Sequence, residues 1–437
     1  MTARAQNLPP RRGACPGLAA PMATGDGLLV RLTPAGTIPL AAFAELCAAA
    51  REHGNGVIEI TSRGNIQVRG LSPASAAQFA ARIAALSIAA QDGVPILCNA
   101  LAGLDAEEIL DAAALAGELR RALARHPMAA RLGPKVSVVI DGGGALPLDR
   151  HAADLRLRAE TADGGAVLHV GVGGDAAAAT ELGCVAPAHG VAAAMRVLEI
   201  LARRGPDARA HSIIATDGAA VFHSALAGLF LPSGRPSQSD GTIETQQKSG
   251  EPIGMYRLRD GGFACGIGLA FGHADAAALE RLSETAAAAG ANGMRAAAGR
   301  ALMTIGLAPQ QASTFLAAAE RLGLIVRADD ARRHVVACAG APVCASAHIA
   351  ARALAPQIAA AAAPHIDGSF TIHISGCAKG CAHPAPAALT VVGAPHGCAL
   401  VANGSARDAP FAAIETDDLP AAIAGAARRL KREGGHV

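Results

Sequence analysis

The chain has 437 residues, about half of them apolar, and a formal net charge of +2. The chain is longer than one ordinary domain, so its length favours two to four domains. With no Trp and a single Tyr, it offers few rings for stacking on nucleic acid, and the near-neutral charge gives no global attraction to DNA or to an anionic membrane.

The N-terminus and the apolar runs indicate a cytoplasmic protein. Residues 1–12 contain arginines and a Pro pair but no apolar stretch of the kind found in signal peptides. The longest run without charge, between Lys379 and Arg407, is interrupted by prolines and glycines, so we expect no membrane-spanning helix. In a reducing cytosol the ten cysteines should remain thiols, and those that cluster become candidates for metal binding.

The first recognisable unit runs from Gly27 to Leu71 and is predicted to contain a strand, a helix and a second strand. The same pattern returns between Asp260 and Leu307. In both copies, which we call A and A′, the helix ends at Gly with Asn-Gly close behind, a usual helix stop and turn signal.

A second kind of unit follows each copy. Residues 135–143 (KVSVVIDGG) and 369–377 (SFTIHISGC) are β-rich runs that break on glycine. Upstream of them, residues 98–104 (CNALAGL) match residues 338–344 (CAGAPVC) in length and in small side chains. The order A, B, A′, B′ indicates an internal duplication, with helical runs predicted over 190–204 in B and 353–362 in B′.

We divide the chain at its most polar, turn-rich segment. The predicted α+β fold has a half domain at 12–90, an α+β domain at 91–230, a linker at 231–252, a second half domain at 253–315 and a cysteine-bearing α+β domain at 316–437.

Four of the ten cysteines form two close pairs. Cys338 and Cys344 are separated by five residues and Cys377 and Cys381 by three, and each pair lies in a loop of small residues beside a predicted strand. A 4Fe-4S cluster needs four converging thiolates, little bulk nearby and free backbone amides, which these loops provide. Structural zinc fits less well, because paired zinc ligands usually have about two to four residues between them. Thiols that simply pack are the other alternative.

The cysteine pattern resembles the cluster signature of siroheme-dependent sulfite and nitrite reductases, and the A, B, A′, B′ order resembles the duplicated chain of that superfamily. The resemblance extends from about Arg12 to Leu430. Within the superfamily, five stretches resemble the precorrin-3B synthase family: residues 12–17 (RGACPG), 24–29 (TGDGLL), 61–67 (TSRGNIQ), 98–105 (CNALAGLD) and 375–381 (SGCAKGC).

This resemblance implies two paired ferredoxin-like half domains, at 12–90 and 253–315, and two α+β domains of the 4Fe-4S/siroheme type. It implies one 4Fe-4S cluster on Cys338, Cys344, Cys377 and Cys381, together with a mononuclear non-haem iron instead of siroheme. The implied reaction is the O2-dependent conversion of precorrin-3A into precorrin-3B in cobalamin biosynthesis. Electrons would come from an external donor, an NADH-linked reductase or a ferredoxin.

Cations distinguish this family from the reductases, which bind an oxyanion. Arg63 matches the arginine of the reductases' Thr-x-Arg segment, but the second arginine expected near Asn99 is absent, and the segment KVS starting at Lys135 keeps only the first of two lysines. Each lost charge-assisted hydrogen bond would cost a reductase about 1.5 to 3 kcal/mol. We therefore expect Arg63, Lys135 and Arg300 to bind carboxylates of a tetrapyrrole, with Arg69 as a further candidate.

The assignment of Arg300 rests on aligning the two copies. A and A′ keep Arg63 and Arg300 at what this alignment treats as equivalent strand positions. Aligning B with B′ places residue 143 opposite Cys377 and residue 104 opposite Cys344, so only the second copy retains the thiols. We therefore predict one cluster, with cationic side chains from both halves of the chain beside it.

The ligands of the second iron are left open. A facial triad uses two His and one carboxylate, and its possible pieces are two His-x-Asp matches and two histidines that flank the second cysteine pair: His273 with Asp275, His365 with Asp367, His373 and His383. Cys381 could also bridge to a second metal. Two other functions stay open, a siroheme-dependent sulfite or nitrite reductase and a non-catalytic iron–sulfur electron-transfer protein, although a carrier needs only a small domain.

Overall fold

A computed structural model describes residues 16–162, 164–231 and 250–432. The described strands form four sheets, as expected for a duplicated chain with two sheets in each half. Most of the predicted linker at 231–252, and residues 12–15 of the first family-like stretch, lie outside the described residues. The predicted α+β class is confirmed.

Unit A forms an antiparallel sheet with the order β1-β2-β4-β3, backed by helices. Its elements are β1 (Met22–Thr24), β2 (Gly27–Leu32), α1 (Leu40–His53), β3 (Val57–Ile60), β4 (Ile66–Leu71) and α2 (Pro73–Ala84). The single second strand predicted from sequence is in fact the hairpin β3-β4, because Gly64 takes a positive φ of 73° and reverses the chain. Arg63 therefore lies in a turn.

Unit B forms a five-stranded sheet with the order β5-β6-β7-β8-β9. Its elements are β5 (Ile96–Leu97), α3 (Ala112–Arg125), β6 (Val138–Asp141), β7 (Ala153–Ala162), β8 (Gly165–Gly174), β9 (Thr180–Val185), α4 (Gly190–Arg204), α5 (Ala210–Asp217) and α6 (Ala220–Leu226). The first three strands are parallel and the last two antiparallel. Asp111 begins α3 by accepting the N–H of Ala114 at 2.8 Å.

Unit A′ repeats the four-stranded sheet, with the order β10-β11-β14-β13. Its elements are β10 (Gly254–Arg257), β11 (Phe263–Gly268), β12 (His273–Asp275), α7 (Ala276–Ala288), β13 (Gly293–Ala297), β14 (Ala301–Leu307) and α8 (Pro309–Arg321). Here too a hairpin, β13-β14, replaces the predicted single strand, and Gly299 and Arg300 at its turn both have positive φ. The short strand β12 leaves its own sheet and pairs with β3 of unit A.

Unit B′ has the same strand order and directions as unit B, namely β15-β16-β17-β18-β19. Its elements are β15 (Val335–Ala337), α9 (Ala351–Ala362), β16 (Ile372–Ser375), β17 (Ala387–Gly393), β18 (Cys398–Gly404), β19 (Ala412–Ile414) and α10 (Leu419–Arg432). The ladders of the two units place residue 99 opposite Cys338 and residue 105 opposite Cys344. This is one residue away from the alignment made on sequence alone.

Units A and A′ share one aliphatic core. Helix α1 packs on α7, and Phe43 and Leu46 from one helix join Leu279 and Leu282 from the other in a single buried cluster. The hydroxyl of Ser283 donates to the carbonyl of Leu40 at 2.9 Å across this contact. Because the two half domains bury each other, their hairpin turns are held side by side, and an isolated bridge joins Arg63 to Ala298.

Candidate functional site

The two cysteine pairs converge at the carboxyl edge of the B′ sheet. Cys338 directly follows β15, and Cys377 lies two residues beyond the neighbouring parallel strand β16. Because parallel strands end at the same edge, these loops meet, and the N–H of Gly376 donates to Sγ of Cys338 at 3.1 Å. The two cysteine loops are therefore in contact, and burial raises the pKa of Cys381, which negative charge on the nearby Cys377 and Cys344 would raise further.

The surroundings of these thiols suit a 4Fe-4S cluster. A Cβ placed on Gly25 would lie 2.4 Å from Sγ of Cys344, and one on Gly376 would lie 2.7 Å from Cβ of Ala347, so only glycine fits at either position. Burial raises the pKa of Cys338, while the backbone N–H groups of Gly376 and Gly340 lower it by stabilising the thiolate. Amide donors and small side chains are what a buried cluster with thiolate ligands requires.

A cavity of about 330 Å³ opens beside the cysteines. Cys338 and Cys381 border it on the B′ side, and the turns that carry Arg63 and Arg300 border it on the side of the half domains. The structure therefore brings two of the three predicted substrate-binding cations to the cysteine group. Both lie on hairpin turns, so their predicted equivalence holds for the turns and not for strand positions.

Arg300 is a largely buried cation at the wall of this cavity. Its φ of 62° is unusual for a residue with a side chain and has an energetic cost. Burial lowers the pKa of Arg300, and no carboxylate among the described residues lies within ion-pairing distance of it. Its Nη2 instead lies 3.5 Å from Nδ1 of His383. A buried charge without an ionic partner is destabilising, so this position favours an anionic ligand.

Arg63 and Arg69 are engaged differently. Nη2 of Arg63 donates to the carbonyl of Ala152 at 2.6 Å and thereby ties the hairpin to unit B. Arg69 donates to both carboxylate oxygens of Asp26, at 2.8 and 2.7 Å. Although burial opposes it, the hydrogen bond to Asp26 raises the pKa of Arg69. Arg69 is thus neutralised by the loop that also carries Gly25, and its role is to position that loop.

Lys135 is not brought to the site. It lies in an exposed turn before β6 and lines neither the small cavity nor the larger one described below. The local sequence identified a strand start correctly, but the tertiary packing leaves this ammonium in solvent.

The predicted facial triads are not assembled either. Asp275 is the N-cap of α7 and accepts the N–H groups of Ala277 and Ala278. Asp367 is exposed and accepts from Ser369, outside both cavities. His273 and His383 do line the small cavity, but in the described part of the chain their ligand atoms do not converge with a carboxylate.

A larger cavity of about 780 Å³ is lined by residues of unit B and by residues 297–299 at the turn of the second hairpin. Its lining includes three arginines that the sequence reading did not single out: Arg150, Arg158 and Arg333. The side chain of His151 also lines it, and Nε2 of this residue lies 3.2 Å from the carbonyl of Ser62, in the hairpin turn. The run LDRH at 148–151 was the sequence signal that could have pointed to these cavity residues. Such a polar run is usually a solvated loop, so it did not single them out.

Comparison with known proteins decides the family. Residues 20–86 match the model of the nitrite/sulfite reductase ferredoxin-like half domain. Over 423 residues the chain is 39% identical to a precorrin-3B synthase from a Sinorhizobium species, an alignment that covers 97% of this chain and 89% of that protein. This chain belongs to the precorrin-3B synthase family. The predicted family and its enzymatic character are thereby confirmed.

Members of the reductase branch are more distant from this synthase-family chain. The ferredoxin-dependent sulfite reductase 2 of Mycolicibacterium paratuberculosis is 24% identical over 370 residues, covering 79% of this chain and 66% of that protein. The solved structure of the Mycobacterium tuberculosis NirA protein has the same fold, with a TM-score of 0.72 and 20% identity over 93% of this chain and 81% of that chain.

The position near the second reductase arginine differs in this synthase-family chain. Asn99 is only 5% exposed, and its carbonyl oxygen accepts the N–H of Leu101 at 2.8 Å. Asn99 lines the larger cavity, and its buried Nδ2 has no hydrogen-bond partner among the described residues. An amide side chain at this position supplies hydrogen-bond donors but no charge. In the described part of the chain, no helix is long and apolar enough to cross a membrane.

Proposed function

We propose that this protein is a precorrin-3B synthase, an O2-dependent monooxygenase that converts precorrin-3A into precorrin-3B in cobalamin biosynthesis. The relative that is 39% identical over 97% of this chain is a precorrin-3B synthase, which supports this proposal. The structural observation that carries the proposal is Arg300, a partly buried arginine without a carboxylate partner among the described residues, on a cavity wall that it shares with Cys338 and Cys381. A carboxylate-rich tetrapyrrole would provide the missing anion.

In this proposal Cys338, Cys344, Cys377 and Cys381 hold one 4Fe-4S cluster, which when bound supplies electrons one at a time. The N–H of Gly376 stabilises thiolate at Cys338, and the ion pair of Arg69 with Asp26 holds the Gly25 loop against Cys344. A mononuclear non-haem iron is also expected from the family, but the residues of the cavity do not present a converged ligand set for it, so we assign no step to it.

The chain's own groups bind and orient the substrate. Arg300 and Arg63 face the small cavity, and Arg63 also links its turn to unit B, where the larger cavity begins. Paired guanidinium–carboxylate hydrogen bonds give fixed orientation as well as affinity. We leave Lys135 out of the proposed substrate site, because its turn is exposed and lines neither cavity.

The reaction defines the remaining partners. Replacing a C–H bond by C–OH with one oxygen atom of O2 consumes two electrons and two protons and releases the other oxygen atom as water. We therefore propose an external electron donor, an NADH-linked reductase or a ferredoxin. The many free thiols suit the reducing cytoplasm.

The test compares Arg300→Gln and Arg300→Lys with the exposed control Arg281→Gln. Precorrin-3A should bind about ten- to a hundredfold more weakly to Arg300→Gln, because one charge-assisted interaction is lost, while Arg300→Lys should recover part of that affinity. The visible spectrum of the cluster should be the same in all variants. Equal affinities across the variants would remove Arg300 from the site.

Turnover with isotope-labelled O2 tests the reaction itself. The new hydroxyl oxygen of precorrin-3B should carry the label, and O2 should be consumed only with precorrin-3A and an electron source present. Bound siroheme with turnover of sulfite or nitrite would establish the reductase alternative instead. Cluster reduction and oxidation with no change in any tetrapyrrole would indicate an electron carrier.

A further inference from the structure

A second group of metal-ligating side chains lies on the unit B sheet, apart from the cysteine group. His169 on β8 is the ladder partner of Cys184 on β9 and of Arg158 on β7. Directly opposed residues of antiparallel strands project from the same face, about 4.5 to 5.5 Å apart. Strand pairing alone therefore sets an imidazole beside a thiol.

A bulge adds a carboxylate to this pair. In a regular strand Glu181 and Cys184, three positions apart, would face opposite sides of the sheet. The ladder shifts between Val170 and Gly171 of β8, which pair with Gly183 and Glu181. Leu182 is left as the extra residue, and Gly183 takes a φ of 131°. Such a bulge re-aims the side chains beyond it, so Glu181 reaches the face that carries Cys184.

The ligand atoms of these three residues lie within 4.8 Å of one another. Nδ1 of His169 is 3.2 Å from Oε1 of Glu181 and 3.5 Å from Sγ of Cys184. Around a tetrahedral Zn²⁺, ligands at about 2.0 to 2.3 Å from the ion are separated by roughly 3.3 to 3.8 Å. The two separations from Nδ1 fall close to this range. The ligand atoms of Glu181 and Cys184 lie within 4.8 Å of each other, and Sγ of Cys184 also lies 3.7 Å from Nε2 of His169, so side-chain rotation would complete the site.

The other nitrogen of His169 has the support that metal-bound histidines commonly show. Nε2 lies 3.0 Å from Oε2 of Glu160, and Glu160 accepts from Nη2 of Arg158 at 3.1 Å. A carboxylate on the far nitrogen fixes the ring tautomer and strengthens the near nitrogen as a ligand. Nδ1 is then left to face Glu181 and Cys184.

The charges of the group favour a divalent cation. Glu160 is balanced by Arg158, which leaves the Glu181 carboxylate and a Cys184 thiolate to balance a 2+ ion. A divalent cation at this position would neutralise both negative charges.

We propose that His169, Glu181 and Cys184 form a binding site for a transition-metal ion of the Zn²⁺ class, with Glu160 positioning His169. Nitrogen and thiolate ligands select such an ion over Ca²⁺ or Mg²⁺. His169 is 28% exposed and the glutamates are more so, which leaves a fourth position for water. The ion would cross-link β8 and β9 and is independent of the iron–sulfur cluster and of the proposed reaction.

The test titrates the cluster-containing full-length protein with Co²⁺ and with Zn²⁺ against a competing chelator. The wild type should bind one equivalent, and Co²⁺ should add a thiolate-to-metal charge-transfer band in the difference spectrum. Cys184→Ser and His169→Gln should weaken binding by roughly a hundredfold or more, and Glu160→Gln by about ten- to a hundredfold. The exposed residues His211 and Glu118 provide the matched controls His211→Gln and Glu118→Gln, which should bind as the wild type does.

An unchanged melting temperature in each variant shows that unit B is folded, and an unchanged cluster spectrum separates this result from the proposed reaction. The site is disproved if the wild type binds no added equivalent, or if Cys184→Ser binds Co²⁺ with wild-type affinity and the same band. Loss of binding in the two controls would also overturn it, because the ion would then lie elsewhere on the surface.

Discussion

Units B and B′ build the same sheet edge and close it with different chemistry. In unit B, two carboxylates that are each 1% exposed tie the loops together: Asp105 accepts the N–H of Ala145 at 2.6 Å, and Asp141 accepts that of Leu148 at 2.8 Å. In unit B′ the ladder equivalent of residue 105 is Cys344, and the loops present thiols instead. Hydrogen bonds to carboxylates hold the loops at the edge of unit B, whereas the loops at the edge of unit B′ present a group of thiols, which we propose bind a cluster.

This difference shows how a duplicated fold can keep one cofactor site. The hydrogen-bonding carboxylates let unit B close its loops with protein atoms alone. Unit B′ keeps small residues such as Gly376, whose N–H reaches Sγ of Cys338. We infer that the loops of B′ depend on the cluster for their closure and that those of B do not.

The largest expected effect removes the cluster. Cys344→Ser and Cys377→Ser should abolish the broad visible absorbance and lower bound iron by about four atoms per chain, because each thiolate is a ligand. Cys98→Ser, in the corresponding loop of unit B, should change neither, since burial raises the pKa of Cys98 to about 12 and keeps it a thiol. Iron analysis and absorbance of anaerobic protein check this. Unchanged iron in the first two variants would break the comparison.

Gly25→Ala should cause a smaller loss of bound iron. The new Cβ would meet Sγ of Cys344 at 2.4 Å, so the thiol must move and cluster occupancy should fall severalfold without vanishing. Gly36→Ala is the matched control, because nothing lies within 4 Å of its added Cβ. The iron-to-protein ratio is the measurement. Full occupancy in Gly25→Ala would mean that this loop does not press on the cluster ligand.

Asp105→Ala should weaken unit B without touching the iron. It removes the carboxylate that accepts the N–H of Ala145, at a cost of about 1 to 3 kcal/mol in the free energy of unfolding. The melting temperature should drop by several degrees, while the exposed control Asp92→Ala should melt as the wild type does. Iron loss in Asp105→Ala would show that the two edges are coupled.

The smallest effect concerns pH. His373 occupies the place of Val139 in the matching strand, is fully buried, and has no hydrogen-bond partner among the described residues. Burial, with His383 and Arg300 nearby, lowers the pKa of His373 to about 3. The unfolded chain therefore binds a proton at higher pH than the folded one, and stability should be full above about pH 6.5 and fall below it, by on the order of 2 kcal/mol at pH 5.

His373→Val should flatten this dependence. Melting temperatures at pH 8 and pH 5 should differ less in the variant than in the wild type, with the exposed control His211→Val retaining the wild-type difference. If both variants keep the full difference, His373 does not control the acid sensitivity of unit B′.

The sequence by itself determined the duplicated A, B, A′, B′ order, the α+β class and the family. These follow from local signals: strand alternation, helix stops at Gly-Asn-Gly or similar turns, and cysteine spacing, all of which depend on neighbours along the chain. It also identified the four cysteines as one group, because each pair lies beside a strand of the same unit, and the loops that follow neighbouring strands lie close together. The hairpins were missed because a single glycine reversal, at Gly64 or Gly299, interrupts an otherwise continuous β pattern.

Only the tertiary structure decided which cations can serve the site. Lys135 and Arg300 looked equally suitable in the sequence, yet the first is exposed to solvent and the second is partly buried without an ionic partner among the described residues. Arg69 is neutralised by Asp26, 43 positions away. Only the tertiary structure brought His169, Glu181 and Cys184 together, because their proximity depends on strand register and on one bulge. A charge is defined by the groups that surround it, and those groups come from distant parts of the chain that only folding brings together.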